Sequence, residues 1–93
     1  AVTTINAIRE RAGVAPFTAA TLTSGSLLAE RGRELFQEAL RRTDLIRFGA
    51  WGNAWWEKPA HNDTYKNLFP IPFEQMQAEA TTANRLTQNH GYN

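Results

Sequence analysis

Three tryptophans and an asparagine lie close together in residues 51–56. An indole ring can stack on the apolar face of a sugar ring, and a side-chain amide can hydrogen-bond the sugar hydroxyls. Trp51, Asn53, Trp55 and Trp56 are therefore candidate glycan-binding residues. The alternative is that these rings pack against the helices or against another part of a larger protein, which is the commoner fate of large aromatic side chains.

A second candidate group is made of charged side chains in residues 31–47. Its members are Arg31, Glu34, Glu38, Arg41, Asp44 and Arg47. Paired carboxylates can act as general acid and base, as they do in glycoside hydrolysis. Charges beside an apolar stripe are more often paired with one another and hydrogen-bonded. We therefore interpret the group as a framework that clamps neighbouring chain, with an acid/base site as the alternative.

Other kinds of chemistry find no support in the residues. The chain has no cysteine, and its two histidines, His61 and His90, lie in different irregular segments without the carboxylate spacing typical of a metal site. There is no glycine-rich phosphate loop and no nucleophile elbow. We predict no catalytic residue, no metal site and no cofactor.

The overall charge argues against binding to nucleic acid or to anionic membranes. Ten basic and nine acidic residues give a net charge of +1. Nucleic-acid-binding proteins normally carry a clustered basic excess, and binding to anionic membranes needs one too. No apolar run approaches the roughly 20 residues of a transmembrane helix. We expect no nucleic-acid partner and no direct contact with the membrane.

Two stretches have helical periodicity. Ile5 and Ile8 recur at helical spacing and Gly13 suits a helix end, which predicts a short helix over about residues 3–12. A long helix is predicted over about residues 26–48. Its expected buried stripe consists of Leu28, Leu35, Ala39 and Ile46. The i+3 and i+4 spacing predicts ion pairs from Arg31 to Glu34, and from Glu38 to Arg41 or Arg42.

About half of the chain shows no such periodicity. Residues 51–64 contain many turn formers, the prolines of residues 68–72 favour an extended conformation, and residues 74–79 suffice for one or two helical turns. From residue 80 onward we predict no regular element. Such long irregular connections are uncommon unless they lie on something larger. The fold class is therefore mainly α, two helices plus long irregular segments, and we expect a piece of a longer protein.

Three segments, taken in order, resemble the C-terminal region of SusD/RagB family proteins. They are residues 5–13 (INAIRERAG), residues 30–47 (ERGRELFQEALRRTDLIR) and residues 68–92, which run from LFPIP to LTQNHGY. Together they reach over nearly the whole chain. The chain departs from the family pattern at several positions: Ala39 stands where the family usually has glycine, Arg42 and Thr43 where aromatic residues are common, and His90 where it usually has proline.

The resemblance implies that residues 1–93 form the C-terminal segment of a larger α-helical, tetratricopeptide-containing fold. It implies a non-catalytic lipoprotein on the surface of a Bacteroidetes-type outer membrane, anchored through a lipid on an N-terminal part absent here. Its partners would be an oligosaccharide or polysaccharide and a SusC-like TonB-dependent transporter, to which it delivers the glycan. In this family, ligand contacts come mainly from other regions, so the role implied for this segment is mainly structural.

Two other functions stay open at this point. An independent helical protein-interaction module would use the face formed by Leu28, Leu35 and Ile46. A small carbohydrate-active enzyme would use Glu34, Glu38 or Asp44, and substituting Glu38 by glutamine would then abolish turnover.

Overall fold

A computed structural model describes residues 1–81 and 85–92, and this part of the chain is mainly helical without a β-strand. Its α-helices are α1 (Val2–Arg11), α2 (Ser24–Glu34), α3 (Arg41–Arg47) and α4 (Phe73–Ala78), with a 3₁₀ helix over Thr64–Asn67. Helices separated by irregular segments confirm the predicted fold class. The chain divides into two compact units, residues 1–50 and residues 51–93. None of the described helices combines the length and the apolar character that crossing a membrane requires.

Helix α1 ends within one residue of its predicted boundary and holds the loop that follows it. Gly13 adopts a left-handed conformation with φ of 67° directly after the helix, as a helix-ending glycine does. The Asn6 amide donates to the Phe17 carbonyl at 2.9 Å and accepts from the Phe17 N–H at 2.7 Å. The Arg9 guanidinium lies 4.0 Å from the centre of the Phe17 ring. An irregular segment thus obtains a fixed position from side chains of the preceding helix.

Helix α2 begins with a capping box. The Thr23 hydroxyl accepts from the Ser26 N–H at 3.1 Å, and the Ser26 hydroxyl accepts from the Thr23 N–H at 2.8 Å. Each side chain satisfies a backbone donor that the first helical turn leaves without an intrahelical partner. This pair places the start of α2 at Ser24, slightly before the predicted start.

The long helix predicted over residues 26–48 is wrong, because residues 35–40 interrupt it. Gln37 and Ala39 have φ values of 66° and 59°, which no right-handed helix can contain. The expected stripe therefore does not form one buried face: Ala39 is exposed, and its other three members are only half-buried. In the described residues the buried apolar side chain is Leu45, on α3.

The conformation of Ala39 leads to a test by substitution. Replacing Ala39 by glycine should stabilise the first unit by about 1 kcal/mol, because glycine adopts a positive φ without the steric cost that alanine bears. Hydrogen exchange of the α2 and α3 amides in the full-length protein should slow accordingly.

The control is the same change inside a helix. Ala29 lies within α2, where glycine should destabilise by about the same amount. If both substitutions destabilise, the left-handed conformation assigned to Ala39 is incorrect.

A close approach of α3 to α2 explains the glycine inside α2. The Arg41 guanidinium donates to the Leu28 carbonyl at 2.8 Å. A Cβ atom on Gly32 would lie 2.7 Å from Nη1 of Arg41, so the arginine crosses the helix where a side chain is missing. Glycine inside a helix costs about 1 kcal/mol relative to alanine. At Gly32 it leaves the space that the Arg41 side chain occupies.

In the second unit, side chains near the C-terminus hold the extended segment of residues 68–72. The Gln88 amide accepts from the Ile71 N–H at 2.8 Å and donates to the Ile71 carbonyl at 2.9 Å. The Tyr92 hydroxyl donates to the Leu68 carbonyl at 2.9 Å, and its ring packs edge-on against Tyr65 with centroids 5.2 Å apart. Helix α4 confirms the turns predicted at residues 74–79. Of the tail predicted as irregular, residues 82–84 and 93 lie outside the described part, and the remainder contains no helix or strand.

Candidate functional site

The candidate glycan-binding residues lie in a closed loop, residues 51–61, which we call the tryptophan loop. Its two ends meet where the His61 N–H donates to the Gly52 carbonyl at 2.9 Å. A Cβ atom on Gly52 would come within 2.5 Å of the His61 carbonyl oxygen, so only glycine fits there. Compact surface loops whose ends touch in this way frequently carry function.

A tight turn forms the outer part of the tryptophan loop. Trp55 and Lys58 exchange two backbone hydrogen bonds, of 3.0 and 2.9 Å. Glu57 completes the turn with a φ of 60°. A glutamate gives no sequence signal for a left-handed conformation, and the turn is therefore not evident from the residues alone.

The loop brings the predicted tryptophans together but gives them different environments. Trp51 is half-buried, with its ring edge-on to Trp55 and to His61 at centroid distances of 6.3 Å in both cases. Trp55 is 47% exposed and Trp56 is 85% exposed. Asn53 is also exposed. Trp51 thus has the environment of a supporting residue, while Trp55, Trp56 and Asn53 remain accessible to a ligand.

Lys58 is a member of this site that the sequence analysis did not identify. Its ammonium group donates to the carbonyls of Trp51 and Asn53 at 3.1 and 2.9 Å. The same nitrogen lies 4.2 Å from the centre of the Trp55 ring, within the range of a cation–π interaction. No spacing rule predicts that a lysine will contact backbone carbonyls and aromatic rings. The one sequence feature that could have indicated a role for Lys58 is its position close to the three tryptophans.

The histidines do not form a metal site in the described structure. His61 is half-buried beside Trp51, and its Nδ1 atom is buried without a hydrogen-bond partner among the described residues. His90 is exposed. Over residues 1–81 and 85–92 no three side chains of histidine, aspartate or glutamate are grouped so that they could hold a metal ion.

Charged side chains of the first unit form four ion pairs among the described residues, three of them between helices. Glu30 on α2 is 5% exposed and accepts hydrogen bonds from Arg9 of α1 and from Arg33, each at 2.5 Å. Asp44 on α3 is 3% exposed and accepts from Nε of Arg31 at 2.8 Å. The buried carboxylates of α2 and α3 are thereby satisfied by arginines of α1 and α2, as buried charges require.

These partners differ from the predicted ones. Arg31 pairs with Asp44, and Glu34 pairs with Arg11 of α1, so the predicted Arg31–Glu34 pair is wrong. Arg41 is directed at the Leu28 carbonyl. Neighbours three or four residues apart on an exposed helix gain only a few tenths of a kcal/mol from pairing, and Arg31 and Glu34 pair instead with side chains of other helices.

Electrostatics favour the ionised form of Glu30. The hydrogen bond from Arg33 lowers the pKa of Glu30 most, with a further contribution from the charge of Arg9, and together they outweigh the opposing effect of burial. A general acid would need the opposite shift, toward a raised pKa. An ionised carboxylate held by two arginines is typical of a structural ion pair.

An apolar groove of about 150 Å³ lies between α1 and α2 in the first unit. It is lined by Ile5, Ile8, Leu27, Glu30, Arg31, Glu34 and Leu35. The volume is below the 300–1,000 Å³ typical of small-molecule sites. The accessible aromatic residues of the tryptophan loop are the better candidate for ligand contact.

Comparison with known proteins gives a consistent result over nearly the whole chain. The sequence profile of the SusD family matches residues 1–92. The starch-binding protein SusD of Bacteroides thetaiotaomicron is 34% identical over 96 residues, and the match covers 95% of this chain and 16% of that protein. The chain therefore spans about one-sixth of the length of this relative. No solved structure gives a significant match.

Proposed function

Because this chain belongs to the SusD family, we propose that residues 1–93 form the C-terminal segment of a glycan-binding protein of the bacterial cell surface. The relative from Bacteroides thetaiotaomicron is a starch-binding protein, which supports a carbohydrate ligand. The order of the three motifs and the small share of the relative that is matched support a segment of a longer chain. The proposal includes a lipid anchor on the outer membrane and delivery of oligosaccharides to a SusC-like TonB-dependent transporter.

The role we propose for most of this segment is structural. The ion pairs of Glu30 and Asp44 join three short helices, and little apolar surface is buried with them. Short helices with so thin a core gain stability mainly from further packing. The rest of the longer protein would supply that packing.

The second part of the proposal is that the tryptophan loop contributes to glycan binding. The observation that carries it is the large exposure of Trp56, 85%, next to the half-exposed Trp55. An exposed indole on a closed loop offers a flat apolar surface that loses little conformational freedom when a sugar stacks on it. Asn53 is exposed in the same loop and supplies an amide for hydroxyl groups. Trp51 supports the other two rings from within.

Replacing Trp56 by alanine should weaken glycan binding by at least tenfold, or about 1.4 kcal/mol, because the exposed stacking surface is lost. The measurement is isothermal titration of the full-length protein with a panel of neutral oligosaccharides that includes malto-oligosaccharides.

Phe36 provides the matched control. It is 74% exposed but lies in the turn between α2 and α3, so Phe36→Ala should leave affinity unchanged. Equal affinities of wild type and Trp56→Ala for every glycan bound would exclude the loop from the binding site.

Cellular location tests the first part of the proposal. An antibody against residues 1–93 should detect, in the outer-membrane fraction of the source cells, a band several times larger than the 10.5 kDa of this chain. A soluble band of about 10.5 kDa would contradict the proposal and favour the protein-interaction module.

The acid/base alternative receives less support from the geometry. Glu34 is engaged by Arg11 and Asp44 by Arg31, which leaves neither carboxylate disposed for proton transfer. Hydrolysis of any glycan in the same panel, lost on Glu38→Gln, would reinstate it.

A further inference from the structure

Lys58 lies where the parts of the tryptophan loop converge. Its ammonium nitrogen contacts the backbone at the start of the loop, through the carbonyls of Trp51 and Asn53 at 3.1 and 2.9 Å. It also contacts the outer turn, because the centre of the Trp55 ring lies 4.2 Å away. The centre of the Trp51 ring, at the start of the loop, lies 5.9 Å away. One cation thus connects the base of the loop with the turn that carries the exposed rings.

The choice of partners distinguishes this lysine from an ordinary surface charge. Exposed lysines commonly pair with carboxylates, as Lys66 does with Asp63 at 2.6 Å. Lys58 instead directs two of its three N–H donors at backbone carbonyls. The side chain is half-buried, whereas Trp55 and Trp56 are exposed. All of these contacts of the ammonium group are with residues of the tryptophan loop, so they stabilise the conformation of the loop.

We propose that Lys58 is a positioning residue of the glycan site, which fixes the Trp55–Trp56 turn on the base of the tryptophan loop. The cation donates to two backbone carbonyls and holds the ring of Trp55 by a cation–π contact. The turn has only two backbone hydrogen bonds of its own, which fix its shape but not its attachment. Lys58 supplies that attachment. The glycan part of this inference rests on the proposed function, and the ordering of the loop does not.

The test compares Lys58→Met, Lys58→Arg and Lys66→Met in the full-length protein. Methionine keeps an unbranched side chain but removes the charge and the donors, whereas arginine retains both and stacks well on indole. Lys66→Met makes the same change at the other lysine of the chain, outside the loop. Two readouts are needed: hydrogen exchange of the peptide covering residues 51–61, and affinity for the malto-oligosaccharide or other neutral oligosaccharide that wild type binds.

We expect Lys58→Met to speed exchange in residues 51–61 and to weaken glycan affinity, each by about tenfold, while exchange in α2 is unchanged. Lys58→Arg should restore most of both, and Lys66→Met should alter neither. Unchanged loop exchange with lost affinity would overturn the proposal in favour of direct ligand contact by Lys58. Faster loop exchange with unchanged affinity would overturn its role in the site. If wild type binds no glycan, the proposed function fails, while loop exchange still decides whether Lys58 orders the loop.

Discussion

Replacing Glu30 by glutamine is expected to lower the free energy of opening of the first unit by about 3 kcal/mol. Glutamine has the same size but no charge, so it leaves the guanidinium of Arg9, only 14% exposed, without its carboxylate. Removing one member of a buried ion pair costs several kcal/mol for this reason. Native-state hydrogen exchange of the α2 amides in the full-length protein should become roughly a hundredfold faster.

The neighbouring pair of Glu34 and Arg11 supplies the control. Their side chains are 35% and 69% exposed, and the same substitution at Glu34 should cost less than about 1 kcal/mol. Similar costs at the two positions would contradict a buried ion-pair framework.

The pH dependence of Glu30 gives an independent check of that prediction. Hydrogen bonding from Arg33, together with the charge of Arg9, holds the pKa of Glu30 below its ordinary value of 4.5. A lowered pKa in the folded state means that this stabilisation is complete above about pH 4.5 and is lost as the pH falls through the folded-state pKa. Glu30→Gln should remove this part of the acid sensitivity. An unchanged acid profile in the variant would show that other carboxyl groups account for it.

Replacing Gly91 by alanine is expected to open the C-terminal part of the second unit at a cost of about 3 kcal/mol. Two effects add: the φ of 87° disfavours any side chain, and a Cβ atom would lie within 2.8 Å of three atoms of Tyr65. Tyr65 would have to shift, which disturbs its edge-on contact with Tyr92, whose hydroxyl donates to the Leu68 carbonyl. Hydrogen exchange in residues 65–71 should report the loss.

Gly13 separates the two effects. It has a similar positive φ, 67°, but no heavy atom lies within 4 Å of the Cβ position. Gly13→Ala should therefore cost only the conformational term, about 1 kcal/mol. If alanine at Gly13 and at Gly91 lowered stability equally, Tyr65 would be able to shift without cost, and its close packing against Gly91 would not contribute to stability.

The sequence predicts helix α1 well and the α2–α3 region poorly, for a physical reason. Ile5, Ile8 and Gly13 each act locally, through periodicity and a helix-ending conformation. The break at residues 35–40 depends on left-handed backbone at Gln37 and Ala39, residue types that give no signal for it. The family's usual glycine in place of Ala39 would have given that signal.

For the candidate site, composition identifies the tryptophans but not their division of roles. The exposure of Trp56 and the half-buried state of Trp51 depend on how the loop closes at Gly52 and His61. Lys58 acts through backbone carbonyls, which every residue has, so its role cannot be derived from the residue types around it. The ion pairs between helices could not be predicted either, because helical spacing indicates only partners three or four residues apart.

Three side-chain amides hold irregular segments in place, so the position of these segments depends on groups that can deamidate. Asn6 donates to the Phe17 carbonyl, Gln88 to the Ile71 carbonyl, and Asn89 to the Phe69 carbonyl at 2.7 Å. Deamidation converts the NH₂ donor of such a side chain into a carboxylate oxygen, which faces the same carbonyl as a second acceptor and repels it. A sheet held by backbone ladders has no comparable weakness, because its donors are not hydrolysed in this way. Asparagine and glutamine are among the thermolabile residues, and we expect deamidation at any of these three positions to release the segment that the amide holds.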